Sequence, residues 1–116
     1  MRKEFNKVEG TKGEFNATEY LKKKKYKILD QNHRNKLGEI DIVAMQKEMI
    51  VFVEVKSRST LSFGRPSEAV DERKQNKLRA VANLYLLQHK MMDIPCRFDV
   101  IEVIGQDKIN HIENAF

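Results

Sequence analysis

The sequence predicts a mixed α/β fold, a central β-sheet flanked by helices, in the order helix, three strands, helix, then one or two strands. Three observations carry that expectation. The apolar runs "EIDIVAMQ" and "MIVFVEVKSRS" are separated only by Lys47 and Glu48, which reads as a strand hairpin although neither residue is ideal in a tight turn. Leu78, Val81, Ala82 and Tyr85 recur at helical spacing behind Asp71, a good N-cap, and predict a helix running to about His89. "RFDVIEVIG" at 97–105 follows a turn containing Pro95 and reads as a further strand.

The remaining elements fill in around these. A first helix is expected from about Lys12 to Lys25, with Phe15, Thr18 and Leu21 on one side. "TKGE" at 11–14 has the form of a capping box, Thr11 as N-cap and Glu14 three residues on. "KYKILDQN" reads as a strand and "HRNKLG" as a turn region. "TLSFGRPSE" at 60–68 is a loop marked by Gly64 and Pro66, and "KINHIENAF" supplies a short last strand. No repeat or linker interrupts the 116 residues, a length suited to one domain, 1–116, with a single modest core.

Composition narrows the function classes. With 41% apolar and 34% charged residues the chain suits a highly charged globular protein. Its apolar runs are too short for a membrane helix, and the charged start "MRKEFNKVEG" lacks the apolar stretch of a signal peptide, so no membrane partner is expected. Cys96 is the single cysteine, which excludes an intrachain disulfide and a cysteine-based zinc site. It is expected to be a small core residue, and a reducing cytoplasm is the expected location. The net charge of +5 is uneven: residues 1–36 carry eleven Lys/Arg against five Asp/Glu, while the middle segment gathers acids. That distribution suits a phosphate-backbone partner.

The chemistry concentrates in "VFVEVKS" at 51–57, a strand that carries two charges among apolar residues. Alternation puts Glu54 and Lys56 on one face, between Phe52 and Arg58, and leaves Val51, Val53 and Val55 as core on the other. In the preceding strand Glu39, Asp41 and Val43 share one face, and Ile40, Ile42 and Ala44 the other. An even-numbered hairpin loop places Asp41 across from Glu54, with Cβ atoms roughly 4.5–5.5 Å apart, and Glu39 across from Lys56. Two carboxylates that close in a partly buried site force one of them to bind a proton or a cation to sit between them. Mg²⁺ or Mn²⁺ suits oxygen ligands of this kind, and the Val55 carbonyl would be a further donor. Lys56 would then stand beside the water on that ion, able to hold it or to offset charge on a phosphate. The competing reading makes Glu54–Lys56 and Glu39–Lys56 salt bridges on a solvated sheet face.

"GEID" at 38–41 followed by "VFVEVKSRS" at 51–59 resembles the YraN-like family of small bacterial proteins, which is similar to the restriction-endonuclease-like, PD-(D/E)xK, nucleases. The resemblance extends to "GEFNATEYL" (13–21), "FGRPSEAVDERKQNKL" (63–78), "RFDV" (97–100) and "HIENAF" (111–116). It implies the restriction-endonuclease-like fold, in the order α-β-β-β-α-β-β. It also implies a metal held by Asp41 and Glu54, with Lys56 assisting the attacking water. The first motif here is Ile40-Asp41 rather than Pro-Asp, as in junction-resolving relatives. A first-helix acid completes the site in such relatives, and Glu14 matches it, in competition with its capping-box role. Gln75, one turn before Leu78, corresponds to a helix residue facing the metal, or is a solvated glutamine.

Several basic residues are candidates for phosphate contact: Arg58, Lys74 on the second helix, Arg65 beside Phe63 and Gly64, and Lys22 and Lys23 of the "KKKK" run at 22–25. For the last two the alternative is a solvated face that complements the helix dipole. His33, His89 and His111 share no metal-ligand spacing, and no glycine pattern resembles a nucleotide cradle. The function expected is a Mg²⁺- or Mn²⁺-dependent endodeoxyribonuclease acting on branched or otherwise structured DNA, as a homodimer where paired cuts are needed. The alternatives are a nuclease-like module that binds nucleic acid or protein without cutting, and a nuclease for RNA or single strands.

Overall fold

The computed structural model describes residues 2–58, 70–105 and 108–116, with side chains from residue 13 onward. Helix α1 (Arg2–Lys23) is followed by strands β1 (Lys27–Asn35), β2 (Gly38–Gln46) and β3 (Met49–Arg58). Helix α2 (Glu72–Gln88) then leads to β4 (Cys96–Ile104) and β5 (Lys108–Ile112). The strands form one sheet in sequence order, antiparallel throughout except for the parallel pair β3–β4. This is the expected α-β-β-β-α-β-β mixed α/β arrangement, compatible with a nuclease-like fold.

The sheet is the middle of three layers. Against one face α1 packs Ala17 and Leu21 onto Ile42, Ala44, Val51, Val53, Ile101 and Val103. Against the other, α2 packs Leu78, Val81, Ala82 and Tyr85 onto Ile40, Val43, Ile50, Phe52 and Val100. The central strand β3 is therefore buried on both sides from Ile50 to Val53, each such side chain contributing about 1.5–3 kcal/mol. The hairpin joins β2 and β3 through Lys47 and Glu48 as expected, with Lys47 taking a positive φ of 56°.

Several boundaries differ from the sequence reading. The first helix begins at Arg2, so Thr11 lies inside it and is no N-cap. The segment "TKGE" therefore lies within the helix and not at its start. Phe15 is 62% exposed, and the buried side of α1 is Gly13, Ala17, Thr18 and Leu21. Those positions lie three and four residues apart and so share a face, which Phe15 does not. Strand β1 continues to Asn35 through the stretch expected to turn, and the turn shrinks to Lys36 and Leu37, with the Asn35 side chain accepting from the Leu37 amide at 2.9 Å. Cys96 is exposed at the start of β4 rather than in the core.

Both helices end alike, each in a backbone turn closed by a lysine of positive φ. Lys25 (69°) follows α1, where the Tyr26 amide donates to Leu21 and that of Lys25 to Lys22. Lys90 (57°) follows α2, where Met91 donates to Leu86 and Lys90 to Leu87. The paired bonds and the contact of the residue beyond each lysine with the last helical turn make Schellman caps. At its other end α2 starts as expected, with Asp71 accepting from the Lys74 amide at 2.9 Å.

Candidate metal centre and its basic rim

The site forms where the β2–β3 ladder stops. Paired residues run from Gln46–Met49 to Ile42–Val53. Just past that end the Val55 amide donates to the Asp41 side chain, at Oδ2, at 2.8 Å. Continuing the register sets Asp41 opposite Glu54, as the hairpin length predicts. Strict alternation does not hold, however: Ile40 joins the α2-side core with Val43, while Ile42 and Ala44 join the α1-side core. The phase slips at Asp41, opposite a β1 position where Asn32 has a φ of 53° and regular pairing skips. A bend of this kind re-aims a side chain.

Asp41 is half-buried, and its carboxyl is pushed up to about 7. Burial is the main cause, with repulsion from Glu54 next and from Glu14 in addition; the Val55 amide and Lys74 oppose them. Glu14 reaches the same place from α1: burial raises its carboxyl, Asn32 hydrogen-bonds it, and Glu39 and Glu54 repel it. With the helix starting upstream, Glu14 has no capping duty. Thr18 donates to the Glu14 carbonyl at 2.7 Å, leaving the carboxylate to the site.

Glu54 is 11% exposed at its side chain and carries two ammonium groups on Oε1, Lys56 at 3.8 Å and Lys74 at 3.4 Å. It also borders a crevice lined by Ile40, Phe52, Leu78, Phe98 and Phe116 that is too tight to admit water. Glu39, expected opposite Lys56, instead pairs with Arg34 across β1. Among the described residues no three His, Cys, Asp or Glu side chains converge into a ready-made metal cage. What the fold gathers is an acidic pair, Asp41 and Glu54, with Glu14 close enough to be felt.

The other sequence candidates fall in different places. Arg58 lies on the Glu54–Lys56 side of β3, and its Nε is 2.6 Å from Glu102, a wholly buried acid on β4. The Gln75 amide donates to the Val70 carbonyl at 2.9 Å, which ties α2 to the segment before it. Lys22 and Lys23 are exposed in the last turn of α1, with Lys22 3.4 Å from Glu19. They stand roughly 12 Å along the helix axis from Glu14. Arg65 and Phe63 lie outside the described residues. Lys77 is a residue the sequence reading passed over. Together with Lys74, Gly38, Glu39 and Leu78 it lines a cleft of about 290 Å³, linked to Glu54 through Lys74. Its signal was its spacing of one turn from Lys74.

A second polar cluster also escaped the sequence reading, although its residues lie in the quoted segments "RFDV" and "HIENAF". Asp99, fully buried, accepts from Arg97 (2.9 and 3.1 Å) and the Asn114 amide (2.9 Å), and its Oδ2 lies 2.7 Å from His111 Nε2. Arg97 extends the cluster to Gln46, Tyr26 and Glu113, and His111 to Tyr20.

The chain is similar along its length to proteins of several bacteria. A UPF0102 protein of Alkaliphilus oremlandii is 53% identical over 97% of this chain and all of its own length. One of Clostridioides difficile is 49% identical over 96% of the chain and 98% of its own length. One of Caldanaerobacter subterraneus subsp. tengcongensis is 47% identical over the full length of both. The family model described as "Uncharacterised protein family UPF0102" matches residues 13–103, a span that begins at the Gly13 of the buried α1 face and contains Glu14, Asp41, Glu54, Lys56 and Lys74. The chain therefore belongs to the UPF0102 family, the YraN-like proteins its motifs resemble.

Proposed function

We propose that this protein is a metal-dependent endonuclease that hydrolyses phosphodiester bonds in DNA, with branched or otherwise structured DNA as its substrate. The observation that carries the reading is the Asp41 carboxyl, fixed on the Val55 amide and repelled by Glu54, so that its charge is only partly offset by the fold. The donor set fits a hard divalent ion, Mg²⁺ or Mn²⁺: Asp41 and Glu54 offer carboxylate oxygens side by side, and such ions take one or two carboxylates and keep several waters. Asp41 and Glu54 would hold the ion, with Glu14 in reserve on α1. Such an ion, when bound, polarises a phosphoryl oxygen and makes water more acidic.

The chain's own groups have distinct tasks. The Val55 amide fixes the Asp41 carboxylate in one orientation, and the buried valines behind β3 keep Glu54 and Lys56 from drifting. Lys56, 27% exposed beside Glu54, would orient the attacking water and offset charge growing on the phosphate. Arg58, ion-paired with Glu102 on the neighbouring strand, would brace the β3–β4 pair under Lys56 and so act as a positioning residue. Lys74 and the cleft beside it supply positive charge for the backbone. Paired cuts in a four-way junction would take two copies of the chain.

Lys74 on Glu54 favours a second reading, a nuclease-like module that binds without cutting, because that lysine already offsets part of the acid charge. Cleavage assays with Mg²⁺ or Mn²⁺ on duplex, single-stranded and four-way DNA separate the two. Junction cutting is expected, lost on chelation and reduced at least about 10²-fold in Glu54→Ala and in Lys56→Ala. No cleavage of any substrate, or full activity in Glu54→Ala, would sink the nuclease reading.

A further inference from the structure

One oxygen of Glu54 already has two ammonium groups within 4 Å, 3.8 Å from Lys56 and 3.4 Å from Lys74. A divalent ion taking that carboxylate adds a third positive centre, and like charges this close exclude one another. Which lysine yields is set by where each is rooted. Lys56 sits two residues from Glu54 on the same buried strand, and its side chain is 27% exposed. Lys74 projects from the first turn of α2 on a flexible four-carbon stem and is 44% exposed. Lys74, the more exposed of the two, has the more room to move.

Its destination is beside it. A cleft of about 290 Å³ is lined by Gly38, Glu39, Lys74, Lys77 and Leu78 and is linked to Glu54 through Lys74; ligand-sized pockets run from about 300 Å³. Lys74 and Lys77 lie three residues apart on α2 and so project to the same side. The cleft's acid, Glu39, is engaged by Arg34. Lys77 pairs with no acid among the described residues, so Lys77 and a Lys74 drawn off Glu54 would together make a seat for an anion, and in this reading the anion at hand is the DNA backbone.

We propose that Lys74 serves two anions in turn: Glu54 before a divalent ion arrives and, once the ion has taken that carboxylate, a backbone phosphate of the bound strand gripped jointly with Lys77. The proposal rests on the metal reading of Asp41 and Glu54. It makes metal binding and DNA grip cooperative through a single side chain, since a cation at Glu54 releases the lysine that holds the strand. It also gives Lys74 opposite effects on the two ligands, which a merely structural residue would not have.

Two titrations test it on the full chain, with thermal melting to verify that each variant is folded. In calorimetry with Mn²⁺ alone, Lys74→Gln should bind the ion about three- to tenfold more tightly than wild type, while Lys77→Gln is unchanged. In fluorescence anisotropy with labelled four-way DNA, Lys74→Gln should weaken binding about five- to tenfold with Ca²⁺ present but less than about twofold in chelator; Lys77→Gln should weaken it in both. Wild type binding Mn²⁺ with Lys74→Gln no tighter, or a Lys74→Gln effect on DNA indifferent to the cation, overturns the exchange and leaves the metal reading standing. If neither wild type nor Lys74→Gln binds Mn²⁺, the metal reading itself fails and takes the exchange with it.

Discussion

At the scale of single residues, Asp41 is where the sequence reading and the structure meet most closely. The hairpin length and the two-residue period were enough to set it opposite Glu54. They could not foresee that the ladder would end there and that the Val55 amide would turn to the side chain. Nor did alternation foresee Ile40 on the α2 side, where the phase slips opposite Asn32, a residue of positive φ in the neighbouring strand. The electrostatic consequence can be measured. A carboxyl raised from the ordinary 3.8 to about 7 favours the protonated fold. Its contribution to stability is whole at low pH and is lost as pH rises through about 7. Wild type therefore gives up about 1–3 kcal/mol between pH 5 and pH 8, after allowing for solvent at the site's rim. Asp41→Asn has no charge to desolvate and should be the more stable protein at about pH 8, with the gap closing near pH 5. Urea unfolding at the two pH values tests this, and a gap that widens on acidification would refute it.

Between elements, the decisive contact is the approach of α1 to β3. A Cβ added at Gly13 would come 2.1 Å from Ser57 Oγ but 3.5 Å from Ser57 Cβ, so only the hydroxyl stands in the way. Glycine in a helix interior costs up to about 1 kcal/mol relative to alanine, and here the cost keeps the helix close enough for Glu14 to reach the acidic pair. Gly13→Ala alone should gain little, because Ser57 must rotate or the helix must shift. Adding Ser57→Ala removes the clash, and the double variant should recover about 0.5–1 kcal/mol of helix propensity over the single one. A double-mutant cycle by chemical denaturation reads the coupling; additive effects would mean that the two elements do not touch there. The second helix, by contrast, was legible from residues alone: Asp71 and the Leu78–Tyr85 stripe are local signals. The start of α1 was not, since a Thr-x-x-Glu pattern looks the same inside a helix as at its end.

Over the whole molecule, the two buried acidic sites pull stability in opposite directions with pH. Burial alone would raise the Asp99 carboxyl, but His111, Arg97 and the Asn114 amide outweigh it and hold the group below the usual carboxylate range. Its contribution is present above the ordinary value and is lost as pH falls through the depressed one, the reverse of Asp41. No local pattern announces this cluster, because Arg97 reaches partners 51 and 71 residues away, Gln46 and Tyr26, which only the finished sheet brings near. It ties α1, the β2–β3 hairpin and the C-terminal tail together. Asp99→Ala would leave Arg97 and His111 facing a buried gap and should cost about 3–5 kcal/mol. A profile of unfolding free energy against pH should then form a dome in wild type, falling on the acid side through Asp99 and on the alkaline side through Asp41. Asp99→Ala should flatten the acid limb while lowering the whole curve, and Asp41→Asn should flatten the alkaline limb. Mn²⁺ should lift the alkaline limb of wild type alone, because only an ionised Asp41 can share the cation with Glu54. An alkaline limb equally raised by Mn²⁺ in Asp41→Asn would move the metal away from this carboxylate pair.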